Sequence, residues 1–143
     1  MHIRHLAVIT TLLILIGHTL GTFFNLYSPA GYYDTLLHFL GGAWVASFVI
    51  YFATLHSFLS YFNPRALWNV LLTTCITLSL GVVWELFEFV LARLTNTAFV
   101  ANIYTDTLTD LVADTFGAFF ISFFFFILIK KQYEKVQSPH TTR

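Results

Sequence analysis

The sequence predicts an all-α fold, a single integral-membrane bundle of four transmembrane helices. Three observations lead there. Hydrophobic residues make up 57% of the 143 residues and charged residues only 10%, a balance outside that of soluble globular domains. The apolar residues gather in four stretches, each long enough to cross a hydrocarbon core that takes about 20 helical residues. The connections between stretches are short, which makes consecutive helices antiparallel neighbours.

The first stretch, 6–27, follows the basic start Met1–His5 and precedes Ser28-Pro29-Ala30, an arrangement that imitates a signal peptide. Its apolar run is too long for a signal-peptide core, so it reads as a retained helix. The second, 35–59, and the fourth, 107–129, begin directly after Asp34 and Asp106, where helix N-caps stand. The third, 66–94, follows the short connection 60–65. Within the fourth, the run FFISFFFF at 119–126 supplies bulk for lipid contact or packing. The chain reads as one transmembrane domain over 1–143, without internal repeat, nucleotide-binding glycine loop or soluble domain, and no nucleic-acid partner is expected. Cys75 is the one cysteine, which excludes an intrachain disulfide. A buried packing thiol is expected there.

Basic residues set the expected orientation. With alternating helices, Arg4, Arg65, Lys130, Lys131, Lys135 and Arg143 fall at one face and Arg93 at the other. This bias places both termini in the cytoplasm, N-in and C-in, with 28–34 and 95–106 outside. Tyrosines and tryptophans cluster at both expected interfaces, as belts do.

The acidic residues carry the chemistry. Of seven acidic side chains, six (Asp34, Glu85, Glu88, Asp106, Asp110 and Asp114) lie in or beside the stretches, all toward the outer face. Charge inside a membrane is costly, so such a cluster marks function more often than packing. At about 1.5 Å per residue, His38 lies roughly 6 Å deeper than Asp34 on one helix face. Asp106, Asp110 and Asp114 step inward at four-residue spacing, and Glu85 and Glu88 share a face of the third helix. His18 lies at comparable depth on the first. The expected layers are His38, Glu88 and Asp110 nearer the surface, then His18, Glu85 and Asp114.

Six carboxylates beside one arginine and two imidazoles cannot all stay charged in a low-dielectric bundle. Either cations sit among them or some carboxyls hold protons. Carboxylates with imidazole suit hard to borderline divalent ions such as Mg, Mn, Fe(II) or Zn, and facing helices of a bundle are a usual place to hold them. The candidate metal ligands are Asp34, His38, Glu85, Glu88, Asp106, Asp110 and Asp114, with His18 and Arg93 as additional candidates. Glu85, Asp110 and Asp114 are the candidate catalytic groups. The structural alternatives are ordinary: caps at Asp34 and Asp106, a packed His18, a Glu88–Arg93 pair and protonated carboxyls bonded between helices. Gly41, Gly42, Gly81 and Gly117-Ala118 lie near the acids, where small residues let helices approach. Below them only Ser47, Thr73, Thr74, Thr77 and Ser122 are weakly polar. A cup open to the outside with an apolar floor is expected.

Three blocks resemble known proteins: Tyr33-Asp34-Thr-Leu-Leu-His38-Phe39 with Gly41-Gly42; Trp84-Glu85-x-x-Glu88; and Asp106-x-x-x-Asp110-x-x-x-Asp114-x-x-Gly117-Ala118. Over roughly 33–118 the chain resembles the YjdF-like small bacterial inner-membrane proteins, a family without an established activity. It is more distantly similar to the VanZ-like proteins, whose founding role is reduced susceptibility to teicoplanin. Thr35 and Asp114 depart from the VanZ-like pattern, which commonly has lysine and asparagine there. The resemblance implies a multi-pass protein of the bacterial inner membrane and one shared site for the seven ligand candidates.

The leading expectation is a metal-dependent membrane enzyme acting on a lipid or lipid-linked phosphate at the outer leaflet. The alternative is a non-catalytic module that binds a lipid, cell-wall precursor or amphiphile. An ion-coupled transporter lacks polar groups through the inner leaflet unless a homo-oligomer supplies them. A bis-histidine haem across His18 and His38 suits the carboxylate surroundings poorly.

Overall fold

The computed structural model describes residues 3–27, 32–55, 66–95 and 103–137. These form four α-helices: α1 (Ile3–Phe23), α2 (Tyr32–Leu55), α3 (Ala66–Thr95) and α4 (Ile103–Gln137). All four are long and apolar enough to cross a membrane. In lipid a helix satisfies its own backbone hydrogen bonds, which is why apolar stretches of this length take that form. Arg65, the connection 60–65, residues 56–59 and most of 28–34 and 95–106 lie outside the described residues.

Several boundaries differ from expectation. α1 stops at Phe23 rather than 27, because Asn25 takes a left-handed conformation with φ 53°. The Leu26 amide then donates to the Gly21 carbonyl at 2.8 Å and the Asn25 amide to Thr22 at 3.4 Å. That pairing is a Schellman C-cap, with asparagine in the place usually held by glycine. α2 and α4 begin two and three residues before Asp34 and Asp106, respectively. The two aspartates therefore sit inside the first turn, where their charge faces the positive helix end, rather than at the cap. α4 also runs past 129 to Gln137, through lysines, glutamine and glutamate that favour helix.

The bundle is built around α2 and α4, which make the most extensive contact. α3 packs on α4 and also touches α2, and α1 packs on α2. The central pair is neither consecutive nor antiparallel: the two helices run the same way and close where glycines remove side chains. A Cβ on Gly42 would collide with the backbone of Asp114, and one on Gly117 with the backbone of Phe39 and Ala43. With no hydrophobic force between helices in lipid, such backbone proximity and its dispersion contacts supply the association. On the far side Gly17 and Gly21 seat Leu37 and Tyr33 of α2. The Tyr33 hydroxyl donates to the Gly17 carbonyl and the Trp44 indole to Thr11.

Outward-facing positions of α1 and α3 are apolar and exposed, as lipid-facing helices require. Cys75 belongs to this outer surface, not to the interior. It lies two residues from both Thr73 and Thr77, which point inward, and two helical residues turn about 200°. In the phenylalanine run, Phe119, Phe120, Phe123 and Phe124 face outward, whereas Phe126 packs with Ile50 and Val70.

Candidate metal centre

The close α2–α4 crossing positions the site. Because Gly42 and Gly117 let the backbones meet, Asp114 of α4 comes beside His38 of α2, one turn before Gly42. His38 Nδ1 donates to Asp114 Oδ2 at 3.4 Å. On its other side, His38 Nε2 lies 3.9 Å from Glu85 Oε1 of α3. Gly81 keeps the third helix close: a Cβ there would come within 2.8 Å of Asp114 Oδ2.

Two sets of ligand atoms converge on this imidazole. Asp34, His38 and Asp110 each place one such atom within 4.8 Å of the others, and so do His38, Glu85 and Glu88. His38 belongs to both, so the sets form one connected site spanning α2, α3 and α4. Ligands held at about 2.1 Å around one octahedral ion lie roughly 3–4 Å apart. At up to 4.8 Å, each set is looser than that.

Two buried oxygens, Glu85 Oε1 and Asp110 Oδ1, have no hydrogen-bond partner. A buried acceptor without a donor is costly, and a cation is one way to satisfy it. Threonines flank the same carboxylates: Thr35 interacts with Asp110 and Thr107 with Glu85. Such hydroxyls orient a ligand carboxylate from outside the coordination sphere.

The expected two layers merge, because His38 touches residues assigned to both. His18 does not join them. It is exposed on α1, which packs on α2, and its Nδ1 is hydrogen-bonded to the Tyr27 hydroxyl at 2.7 Å. That tyrosine lies outside the membrane-spanning segments. Partial burial, then the Asp34 carboxylate, pushes its hydroxyl above the ordinary value, so it stays neutral. Asp106 is half-buried and belongs to neither ligand set among the described residues. Arg93 is exposed, its guanidinium 5.5 Å from the centre of the Phe89 ring.

The cup is tighter than expected. His38, Asp110 and Asp114 are buried, and Asp34, Glu85, Glu88 and Asp106 form a partly accessible rim. Its floor is not wholly apolar either, because Asn69 joins Thr73, Thr77, Ser47 and Ser122 as buried polar residues. Sequence reasoning passed over Asn69, although its four-residue spacing to Thr73 and Thr77 marks it as inward-facing. Beside the cluster, an open groove of about 720 Å³ runs between α2 and α4 toward lipid, lined by Tyr32, Phe39, Leu108, Val112 and Phe116 among others. Thr35 lines this groove and also interacts with Asp110.

Residues 1–131 match the family model described as Predicted membrane protein (DUF2238), and the chain belongs to that family. The resemblance to the YjdF-like proteins agrees with this assignment, since that family is this domain. No curated protein and no solved structure matches the chain.

Proposed function

For this member of the DUF2238 family, we propose that the His38-centred cluster is a divalent-cation site of a membrane enzyme acting on a lipid or lipid-linked phosphate. The observation that carries this reading is the convergence of Asp34, Asp110, Glu85 and Glu88 on one buried imidazole, with Glu85 Oε1 and Asp110 Oδ1 unpartnered. Three helices spend buried charge on one point, more than packing specificity requires. The bound cation would supply Lewis-acid polarisation of a phosphoryl oxygen or activation of a water. His38, Asp34, Glu85, Glu88 and Asp110 are its proposed ligands, His38 through the nitrogen that faces Glu85, and Asp114, on the opposite nitrogen, orients the ring. Asp110, Glu85 and Asp114 are also the carboxylates available to accept a proton from an attacking water.

The groove between α2 and α4 supports the lipid character of the substrate. Its apolar wall accommodates an acyl or prenyl chain, and Thr35 connects that wall to Asp110. The same groove favours a second reading, a module that binds an amphiphile without transforming it. We place the site at the extracytoplasmic face of a bacterial inner membrane, following the basic-residue bias and the family resemblance.

Elemental analysis of detergent-purified protein, with thermal melts before and after chelation, separates these readings. About one equivalent of a divalent metal is expected, and at a hundredfold excess over its Kd the ion stabilises by about 2.7 kcal/mol. Chelation should remove that increment. Asp110→Asn and Glu85→Gln should lose the chelator response yet melt no lower than metal-free wild type, because neutralisation relieves repulsion among crowded carboxylates. A protein that purifies with lipid and no metal supports the binding module. If wild type shows no chelator response and Asp110→Asn melts below it, the cluster is structural.

A further inference from the structure

One acid of the cluster takes no part in holding the proposed cation. Asp106 is half-buried in the first turn of α4 and belongs to neither ligand set among the described residues. Its carboxylate nevertheless acts electrostatically on Asp34, Glu85 and Asp110, so it stands at the edge of the cluster. Its backbone is tied to the groove between α2 and α4: Thr109, which lines that groove, donates its hydroxyl to the Asp106 carbonyl at 2.8 Å. Thr35 makes a matching connection from α2, lining the groove and interacting with Asp110. Asp110 is 2% exposed, and its Oδ1 has no hydrogen-bond partner. Groove and acidic cluster are thus two sides of one seam, joined at two threonines.

The groove has the dimensions of one hydrocarbon chain from one leaflet. Its walls run from Tyr32 to Phe39 on α2 and from Leu108 to Phe116 on α4, about 10 and 12 Å along the helix axes. A leaflet contributes about 15 Å of hydrocarbon, so the groove follows an acyl chain through most of that depth. It begins at the helix ends that carry Asp34 and Asp106, which puts the head group of such a chain beside these acids.

Charge then selects the head group. Asp34, Glu85, Glu88, Asp106, Asp110 and Asp114 share this end of the bundle, and Arg93 is the only lysine or arginine there among the described residues. A divalent ion, a proton on His38 and Arg93 together offset four of the six carboxylates. The remaining negative charge repels an anionic head group and attracts an ammonium. A primary ammonium also has N–H donors for the carboxylate oxygens, a charge-assisted bond that a trimethylammonium cannot make.

We propose that the groove holds an acyl chain of a phospholipid whose head group ends in a primary ammonium, and that Asp106, with Asp34 beside it, recognises that ammonium. This rests on the lipid reading of the site given above and names its substrate class, but it does not depend on which ion the cluster binds. The chain sets the depth and Asp106 selects the head group. The phosphate between them is left beside the cluster, where a cation would polarise it.

The test is titration of delipidated, detergent-purified protein with dioleoyl phosphatidylethanolamine, phosphatidylcholine and phosphatidylglycerol, read by native mass spectrometry, with metal content measured on the same preparation. The ethanolamine lipid should bind about tenfold tighter than the other two, the worth of one charge-assisted hydrogen bond. Asp106→Asn should bring it to the level of the choline lipid and leave the metal content unchanged. Val112→Trp, which fills the groove, should weaken all three lipids. Equal binding of the three, or preference for the choline or glycerol lipid, overturns the proposal, and retained metal in that sample leaves the cation site standing. Binding of no lipid at all overturns the lipid reading of the site together with the proposal. A folded Asp106→Asn that keeps the full preference, or a Val112→Trp that binds like wild type, also overturns it. Should Asp106→Asn fail to fold, wild type titrated with the N-acetylated ethanolamine lipid decides, since that lipid keeps its phosphate and chains but loses the ammonium. Its affinity should fall to that of the glycerol lipid, and affinity equal to the parent lipid overturns the proposal.

Discussion

Adding one methyl group at Gly117 tests the crossing on which the site depends. The new Cβ would land against the Phe39 carbonyl, with the Ala43 amide nitrogen 2.9 Å away. Backbone atoms in the middle of a helix cannot rotate aside. Ordinary carbon contacts need roughly 3.5–4 Å, so α2 and α4 must separate locally by about 1 Å. Overpacking of this kind costs about 1–3 kcal/mol, offset in part by alanine's helix-propensity advantage over glycine of up to about 1 kcal/mol. The net loss should be about 1–2 kcal/mol for Gly117→Ala, and likewise for Gly42→Ala, whose Cβ meets the Asp114 backbone. Separation also lengthens the His38–Asp114 contact, already 3.4 Å, past hydrogen-bond reach. Two other glycines calibrate the measurement. A Cβ at Gly41 would find Asp114 Oδ1 at 3.5 Å, ordinary contact, so Gly41→Ala should be neutral or stabilising. At Gly81 it would meet the Asp114 carboxylate at 2.8 Å. A side chain can swing away, so Gly81→Ala should lose little stability but should weaken cation affinity by displacing Asp114. Equilibrium unfolding in mixed detergent micelles measures all four. If Gly42→Ala and Gly117→Ala unfold within about 0.5 kcal/mol of Gly41→Ala, the α2–α4 crossing is not as close as described and the argument fails.

Two shorter predictions concern the ends of the spans. Asn25 holds a left-handed conformation that costs most residues about 1–2 kcal/mol, so Asn25→Ala should lower the melting temperature and Asn25→Gly should match or raise it; equal melting of both variants would show that the C-cap is not formed. The proposed orientation has the C-terminus inside, so a C-terminal alkaline phosphatase fusion should be inactive and a C-terminal fluorescent protein bright; the opposite pattern inverts the site to the cytoplasmic face.

Much of the secondary structure was readable in the chain. Lipid cannot hydrogen-bond the backbone, so any apolar run of sufficient length must be a helix, and four such runs are plain in the composition. The misplaced ends were decided by single residues: Asn25 stopped α1 early because it tolerates positive φ, a capacity that hydropathy does not register. The rows of carboxylates were also readable, since the helix period alone puts Asp110 and Asp114, or Glu85 and Glu88, on shared faces.

What the sequence by itself determined was therefore local: which segments span and which acidic groups share a face of one helix. The tertiary structure decided how the helices are rotated against each other. It chose His38 as the residue common to both ligand sets, left His18 outside with Tyr27, and buried Thr73 and Ser122 with their hydroxyls unpartnered. The reason is physical. A soluble helix announces its inward face by the contrast between apolar and polar stripes, but in a membrane the lipid-facing side is as apolar as the core, so that contrast is missing. Rotation and pairing are set instead by where backbones can touch. Here that is Gly42 against Asp114 and Gly117 against Phe39, contacts between residues far apart in the chain that only the assembled bundle brings together.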